Sequence, residues 1–227
     1  MSARRLIALA VAATLTLGAA PPKRGLSWGA VVALTPAGSH VYGNPAANVK
    51  LTEWMSYTCS HCAHFESEGA TPIRLQLVMP GKLRFEIRHL VRDPVDMTVA
   101  LLTNCGTPDK FLLNHIVFLR SQSTWIQPLM NPTSAQRVRW ETGSYAVRSR
   151  NIASDFHFYD IMATRGYTRV QVDRCLSDKA MADRLAAQTK DATERGVEGT
   201  PTFAIDDVLL AGTHDWRLLE PQLLARM

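Results

Sequence analysis

The sequence predicts an α/β fold in which one sheet is interrupted by a large inserted helical domain. Three observations carry the prediction. A strand, a helix and a second strand follow one another between Val49 and Val91. Residues 93–195 are helical in pattern almost throughout. Two short strands and a helix then close the chain.

The first strand is expected over Val49–Met55, where β-branched, aliphatic and aromatic residues follow the turn chemistry of "YGNPAA". After Cys59 the period changes to that of a helix starting near Ser60, and Thr71-Pro72 reads as a fresh N-cap and first helical residue, so a kink or restart is expected there. In "KLRFEIRHLV" (Lys82 to Val91), Leu83, Phe85 and Ile87 alternate with Arg84, Glu86 and Arg88, which gives a strand with two different faces. A connection of this length between two strands implies a right-handed crossover and parallel pairing.

The helical block opens on the cap-proline pair Asp93-Pro94 and runs to Gly106, then restarts on Thr107-Pro108. Further helices are expected over 144–166 and 178–196, both closing on glycine, at Gly166 and Gly196. "TPTFAID" and "DVLLAG" read as short strands around an Asp206-Asp207 turn, followed by a final helix capped by Asp215. The order βαβ, helices, ββα makes a thioredoxin-like fold with an inserted helical domain. Its parts are a lead-in at 21–47, a first sheet portion at 48–92, the insertion at 93–195 and a second sheet portion at 196–227.

Residues 1–20 have the pattern of a cleaved signal peptide: Arg4 and Arg5, an uncharged apolar run from Leu6 to Leu17, then small residues to Ala20. That run is far short of the ~20 residues that span a bilayer. Export to the periplasm, where disulfides persist, is the expectation. Removing the segment takes two arginines and no acid, so the formal charge falls from +5 to +3. No basic cluster with interleaved aromatics suggests nucleic-acid binding. The 46% hydrophobic share suits an ordinary packed globule, and four cysteines are too few to build a fold from disulfides.

The chemistry concentrates in "EWMSYTCSHCAHFE", Glu53 to Glu66. Cys59 stands where a strand gives way to a helix, and free N–H groups with the positive dipole end favour its thiolate. Cys62, one turn on, is placed to close a small ring with it. Cys59 is therefore the exchanging sulfur, and Cys62 resolves the mixed disulfide or leaves as the thiol. His61, inside the ring, can hydrogen-bond the Cys59 sulfur or supply positive charge; a surface histidine without effect is the alternative. Glu53 is either a buried proton acceptor for Cys62 or an acid with no role. Glu66 and His64 read as solvated helix residues. Thr200-Pro201 precedes a strand. A cis bond there would turn the proline toward the two cysteines and leave a backbone edge for an extended client segment, whereas a trans bond would be an ordinary turn. A zinc site would need Cys59 and Cys62 to share a metal with Cys105 and Cys175 or with histidines, and the isolated spacing of the later pair argues against it. No metal or dissociable cofactor is expected.

With "GTPTF" far downstream, this motif resembles the DsbA-like thiol oxidoreductases of the bacterial cell envelope, and the resemblance covers nearly the whole chain after residue 20. It implies that Cys59 is the reactive thiolate, Pro201 is cis, and Glu53 is buried. Ser60 stands where the most oxidising members carry proline, and Thr200 where they often carry valine; both positions bear on the strength of oxidation. The related isomerases add an N-terminal dimerisation module, for which Ala20 to Asn48 leaves no room, so a monomer is expected. Cys105 and Cys175, left over in an oxidising compartment, are expected to pair, as a second bridge does in some members; two free buried thiols is the alternative. Such a bridge would contribute roughly 4 kcal/mol by loop entropy.

The expected function is a periplasmic thiol:disulfide oxidoreductase that donates its disulfide to reduced or misfolded exported proteins. The resemblance implies reoxidation by a quinone-linked, DsbB-like membrane partner. The alternatives are a disulfide isomerase or reductase kept reduced, and a peptide-binding chaperone using the groove by Pro201.

Overall fold

A computed structural model describes residues 28–30 and 32–227. The expected signal segment lies outside the described residues. A six-stranded sheet has the order β1-β2-β4-β3-β5-β6. Its strands are β1 (Val32–Leu34), β2 (His40–Gly43), β3 (Val49–Met55), β4 (Leu83–His89), β5 (Thr202–Ile205) and β6 (Val208–Leu209). The central strand β3 pairs in parallel with β4, from Val49 opposite Leu83 to Met55 opposite His89. It pairs antiparallel with β5, with Trp54 opposite Thr202. This register sets the site. Because β5 runs back along β3, the residues just before Thr202 lie beside the end of β3, from which the cysteine motif emerges.

The expected strands at Val49–Met55 and within Lys82–Val91 are present. Asp206 and Asp207 both take positive φ, 50° and 66°, which closes the β5–β6 hairpin as a two-residue turn. The sheet, however, begins earlier than the sequence pattern indicates. The lead-in supplies β1 and β2, and β2 pairs antiparallel with β4, His40 opposite Ile87. Strands of three and four residues are too short to show alternation, and all four residues of β2 are buried.

Helix α1 (Ser60–Glu68) follows Cys59. The break expected at Thr71-Pro72 falls instead at Gly69, and the chain winds on through Ala70–Pro72 into a π-helical stretch, Ile73–Val78. Thr71 is not a cap; its hydroxyl accepts from Arg74 and Arg120. Between β4 and β5 lie α2 (Pro94–Thr103), α3 (Phe111–Arg120), α4 (Ser134–Glu141), α5 (Tyr145–Asp155), α6 (Phe158–Thr164), α7 (Arg169–Leu176) and α8 (Lys179–Glu194), with shorter turns among them. Asp93 caps α2 through the Asp96 N–H, and Asp215 caps the last helix, α9 (Trp216–Leu224).

The single helix expected over 144–166 is divided. His157 adopts a left-handed φ of 57°, which ends α5 and starts α6. The turn lets Phe156 and Phe158, on either side of an exposed His157, both enter the aromatic core with Trp125. That core is continuous with Leu51 and Phe85 of the sheet, so the inserted helices and the sheet share one interior. A disulfide between Cys105, just after α2, and Cys175 in α7 ties two helical segments 70 residues apart, at a Cα separation of 5.5 Å.

Candidate active site

Cys59 and Cys62 are both free thiols and both buried, Cys59 at 4% exposed and Cys62 at 0%, but their electrostatic surroundings differ. Cys59 occupies the N-cap position of α1 with an extended backbone, φ −90° and ψ 120°. Cys62 is fully buried one turn on. A hydrogen bond from the Cys62 thiol is the leading cause that brings Cys59 down from its ordinary 9.0 to about 4. Burial opposes it, and the N–H groups of His61 and Cys62 at the helix start reinforce it. Cys62 is pushed well up, first by burial and then by the neighbouring Cys59 sulfur. One sulfur is thus held as a thiolate and the other as a thiol.

The Thr200–Pro201 peptide is cis and faces this pair. In the protonated state the Cys59 thiol donates to the Thr200 carbonyl at 3.1 Å, a contact that favours the thiol. The Thr200 hydroxyl works the other way and favours the thiolate, and it is buried without a hydrogen-bond partner among the described residues. The Pro201 carbonyl in turn bonds His214 Nδ1 at 2.8 Å, which anchors the loop from behind.

Glu53 is buried in β3, behind the cysteines, and its carboxyl is pushed well above the carboxylate range. Burial is the main cause, the charges of Glu66 and Cys59 add to it, and Arg74 opposes it. A carboxyl so placed holds a proton within the electrostatic reach of Cys62. His61 is exposed on the helix start, with no hydrogen bond from its ring to the sulfur among the described residues. Its contribution to the Cys59 shift is its backbone N–H.

Glu66 is not the solvated residue its position suggests. It is 2% exposed and held by Arg74 at 3.1 and 3.3 Å and by Arg120 at 3.3 Å. His64, by contrast, is exposed and pairs with Glu68. Two further residues have no counterpart in the sequence reading. Asp96 accepts from Ser56 Oγ at 2.6 Å, the Tyr57 N–H at 2.7 Å and the Arg92 N–H at 2.9 Å, pinning the segment that leads into Cys59. Gln122 donates to the carbonyls of Tyr57 at 2.6 Å and Cys59 at 2.8 Å. The only signal of Asp96 in the sequence is its place in the first turn after Asp93-Pro94; Gln122 carries none.

A family profile described as Thioredoxin matches residues 35–223. The chain belongs to the thioredoxin family. A crystal structure described as a protein-disulfide isomerase from Novosphingobium aromaticivorans is 56% identical, with a TM-score of 0.80, covering 83% of this chain and 97% of that one. The DsbA fold is shared as well: α-DsbA1 of Wolbachia pipientis superposes with a TM-score of 0.65 at 19% identity, over 82% of this chain and 88% of that one. A relative from Rickettsia bellii, provisionally named a protein-disulfide oxidoreductase, is 25% identical over 170 residues, 74% of this chain and 57% of its own length. The chain spans about half the length of the curated relatives it matches. Within the thioredoxin family, its fold is the one that the DsbA structure displays.

Proposed function

We propose that the chain is a periplasmic protein thiol:disulfide oxidoreductase that donates the Cys59–Cys62 disulfide to exported proteins. The observation that carries this reading is the contrast between a Cys59 held at about 4 and a Cys62 pushed well up. Stabilising the thiolate stabilises the reduced form, and a dithiol that prefers to be reduced is an oxidant as its disulfide.

In the proposed cycle a client thiolate attacks the Cys59 sulfur of the disulfide. The Cys59–Cys62 bond breaks, a client–Cys59 bond forms, and Cys62 leaves and takes up a proton, for which the protonated carboxyl of Glu53 is the nearby source. A second client thiolate then attacks the client sulfur of the mixed disulfide, and Cys59 departs as a stable thiolate. The client is oxidised by two electrons and the enzyme is reduced by two. Reoxidation would fall to a quinone-linked membrane partner. Thr200, Pro201 and the free backbone beside them would align the client, and His61 would add charge near the sulfur when protonated. The bond between Cys105 and Cys175 is structural in this scheme.

A second reading has a specific observation behind it: the 56%-identical structure is described as an isomerase. Equilibrating the pair against glutathione in protein that keeps Cys105 and Cys175 separates the two. A potential near about −120 mV is expected for a disulfide donor. A value at or below about −200 mV, without fast donation to an unfolded thiol protein, would sink the donor reading in favour of an isomerase or reductase. A Cys59→Ser variant that keeps full function would point to a binding module instead.

A further inference from the structure

Arg92 lines two clefts. The first, of about 300 Å³, lies at the exchange site and is bounded by Cys59, His61, Thr200 and Glu198. The second, also of about 300 Å³, opens where the segment after β4 faces the helical insertion, and Met97, Trp140, Tyr145 and Ile152 give it an apolar lining. Arg92 borders both, so a polypeptide joined to Cys59 that runs past Arg92 reaches the second cleft within a few residues of extended chain.

The second cleft is built rather than incidental. The indole of Trp140 is fixed by a hydrogen bond from Nε1 to Asp155 at 2.7 Å, and Asp155 is itself paired with Arg139. The Tyr145 hydroxyl is buried without a hydrogen-bond partner among the described residues. Arg92 and Arg148 border the cleft, and neither guanidinium has a carboxylate within ion-pair reach among the described residues. Among the lining residues the one acid, Asp93, is held by the Thr58 hydroxyl at 2.7 Å and the Asp96 N–H at 2.9 Å and keeps its charge, so with the two arginines the lining is left with one net positive charge. An apolar floor under a net positive rim complements an apolar side chain followed by a negative one.

We propose that this second cleft is a side-chain subsite for the client polypeptide. It takes an aromatic or large aliphatic side chain beside an acidic one, a few residues from the client cysteine bonded to Cys59. The inference rests on the oxidoreductase reading and deepens it by naming a client class.

The test uses the full chain in its oxidised form and short dithiol peptides. The peptides differ only in a two-residue insert, Phe-Asp, Phe-Lys or Ala-Asn, placed at each distance from the reactive cysteine in turn. Every rate is divided by the same protein's rate with reduced glutathione, which is too small to bridge the two clefts. At one spacing the Phe-Asp peptide is expected to react about tenfold faster than Ala-Asn, the gain of a modest favourable contact. Arg148→Glu should turn the preference from Phe-Asp to Phe-Lys, and Met97→Gln should remove most of the gain from Phe. Equal normalised rates for all peptides, or a preference that survives both variants, would overturn the subsite while leaving the oxidoreductase reading intact. Failure to exchange with glutathione and peptides alike would overturn both. A preference that weakens as protein concentration rises would assign the cleft to a second copy of the chain, and so overturn the proposal.

Discussion

Arg74 grips the buried carboxylate of Glu66, on the cysteine-bearing helix, through both terminal nitrogens at 3.1 and 3.3 Å. Removing one partner of a buried pair leaves an uncompensated charge, which is far costlier than removing both. Arg74→Met should therefore destabilise the protein by about 3 kcal/mol, with Arg120 retaining part of the support for Glu66. The double variant Glu66→Gln/Arg74→Met should lose less than the single one. Urea unfolding of the four proteins in the cycle checks this; a double variant that is the least stable of all would refute it.

The Cys59 thiolate gives the second prediction. Thiolate absorbance of the reduced protein should titrate near pH 4, and Cys62 should stay protonated beyond the ordinary thiol range. Because the Cys62 thiol is the leading cause of the shift, Cys62→Ala should raise the Cys59 value by about a unit or more. The linkage has a definite sign. A folded value depressed below the unfolded one means that the unfolded state binds the extra proton between about 4 and 9, so reduced-state stability rises with pH across that window. Denaturation of the oxidised form, in which Cys59 carries no proton, should lack this component. Equal pH slopes for the two redox forms over that range would contradict the assignment.

Asp96 supports a third. Its Oδ1 accepts the Tyr57 N–H, and its Oδ2 accepts both Ser56 Oγ and the Arg92 N–H. Asp96→Asn preserves the shape but gives one of these positions to an N–H₂ group, which then faces a backbone donor whichever way the amide is turned. The expected loss is about 1–3 kcal/mol, the cost of one buried unsatisfied group. Because Tyr57 leads into Cys59, mixed-disulfide formation should slow along with it. An Asn variant with unchanged stability and rate would show that the segment is held by other means, Gln122 foremost.

Much of the architecture was legible because its signals are local. β-Branched and aromatic residues after a turn marked β3, alternation marked β4, the change of period after Cys59 marked α1, and Asp206-Asp207 marked a turn that only a positive-φ pair closes. The cysteine pair was legible for the same reason: its chemistry follows from the strand-to-helix junction. What escaped depends on distant partners. Glu66 looks solvated beside its sequence neighbours, yet Arg120, 54 residues away, helps bury its charge. Gln122 bonds the Cys59 carbonyl across 63 residues, a relation that no spacing rule anticipates. The division at His157 was hidden because the residues around it keep a helical pattern, and only the competing demand to bury Phe156 and Phe158 reveals the turn.

The last prediction concerns acid. His40 of β2, His89 of β4 and His115 of α3 are all buried at the seam between sheet and helices, around the ring of Phe111. Burial holds His40 at about 3 and His89 at about 4, and it holds His115 well below its ordinary 6.5. With folded values depressed, the unfolded chain takes up protons that the folded one refuses. The stability these residues contribute is complete above pH 6.5 and is lost as pH falls toward 4. Glu53 carries the opposite sign, since its raised value favours the folded state at low pH, so the test compares variants rather than a single curve. In oxidised protein, where Cys59 does not titrate, His89→Phe should flatten the pH dependence between 6.5 and 4 by up to about 1.4 kcal/mol per pH unit. Phenylalanine suits the site, because the His89 ring packs against Tyr57 and Phe111 and neither of its nitrogens has a partner among the described residues. A variant whose unfolding midpoint falls with acid as steeply as the parent would show that His89 is already protonated in the folded protein.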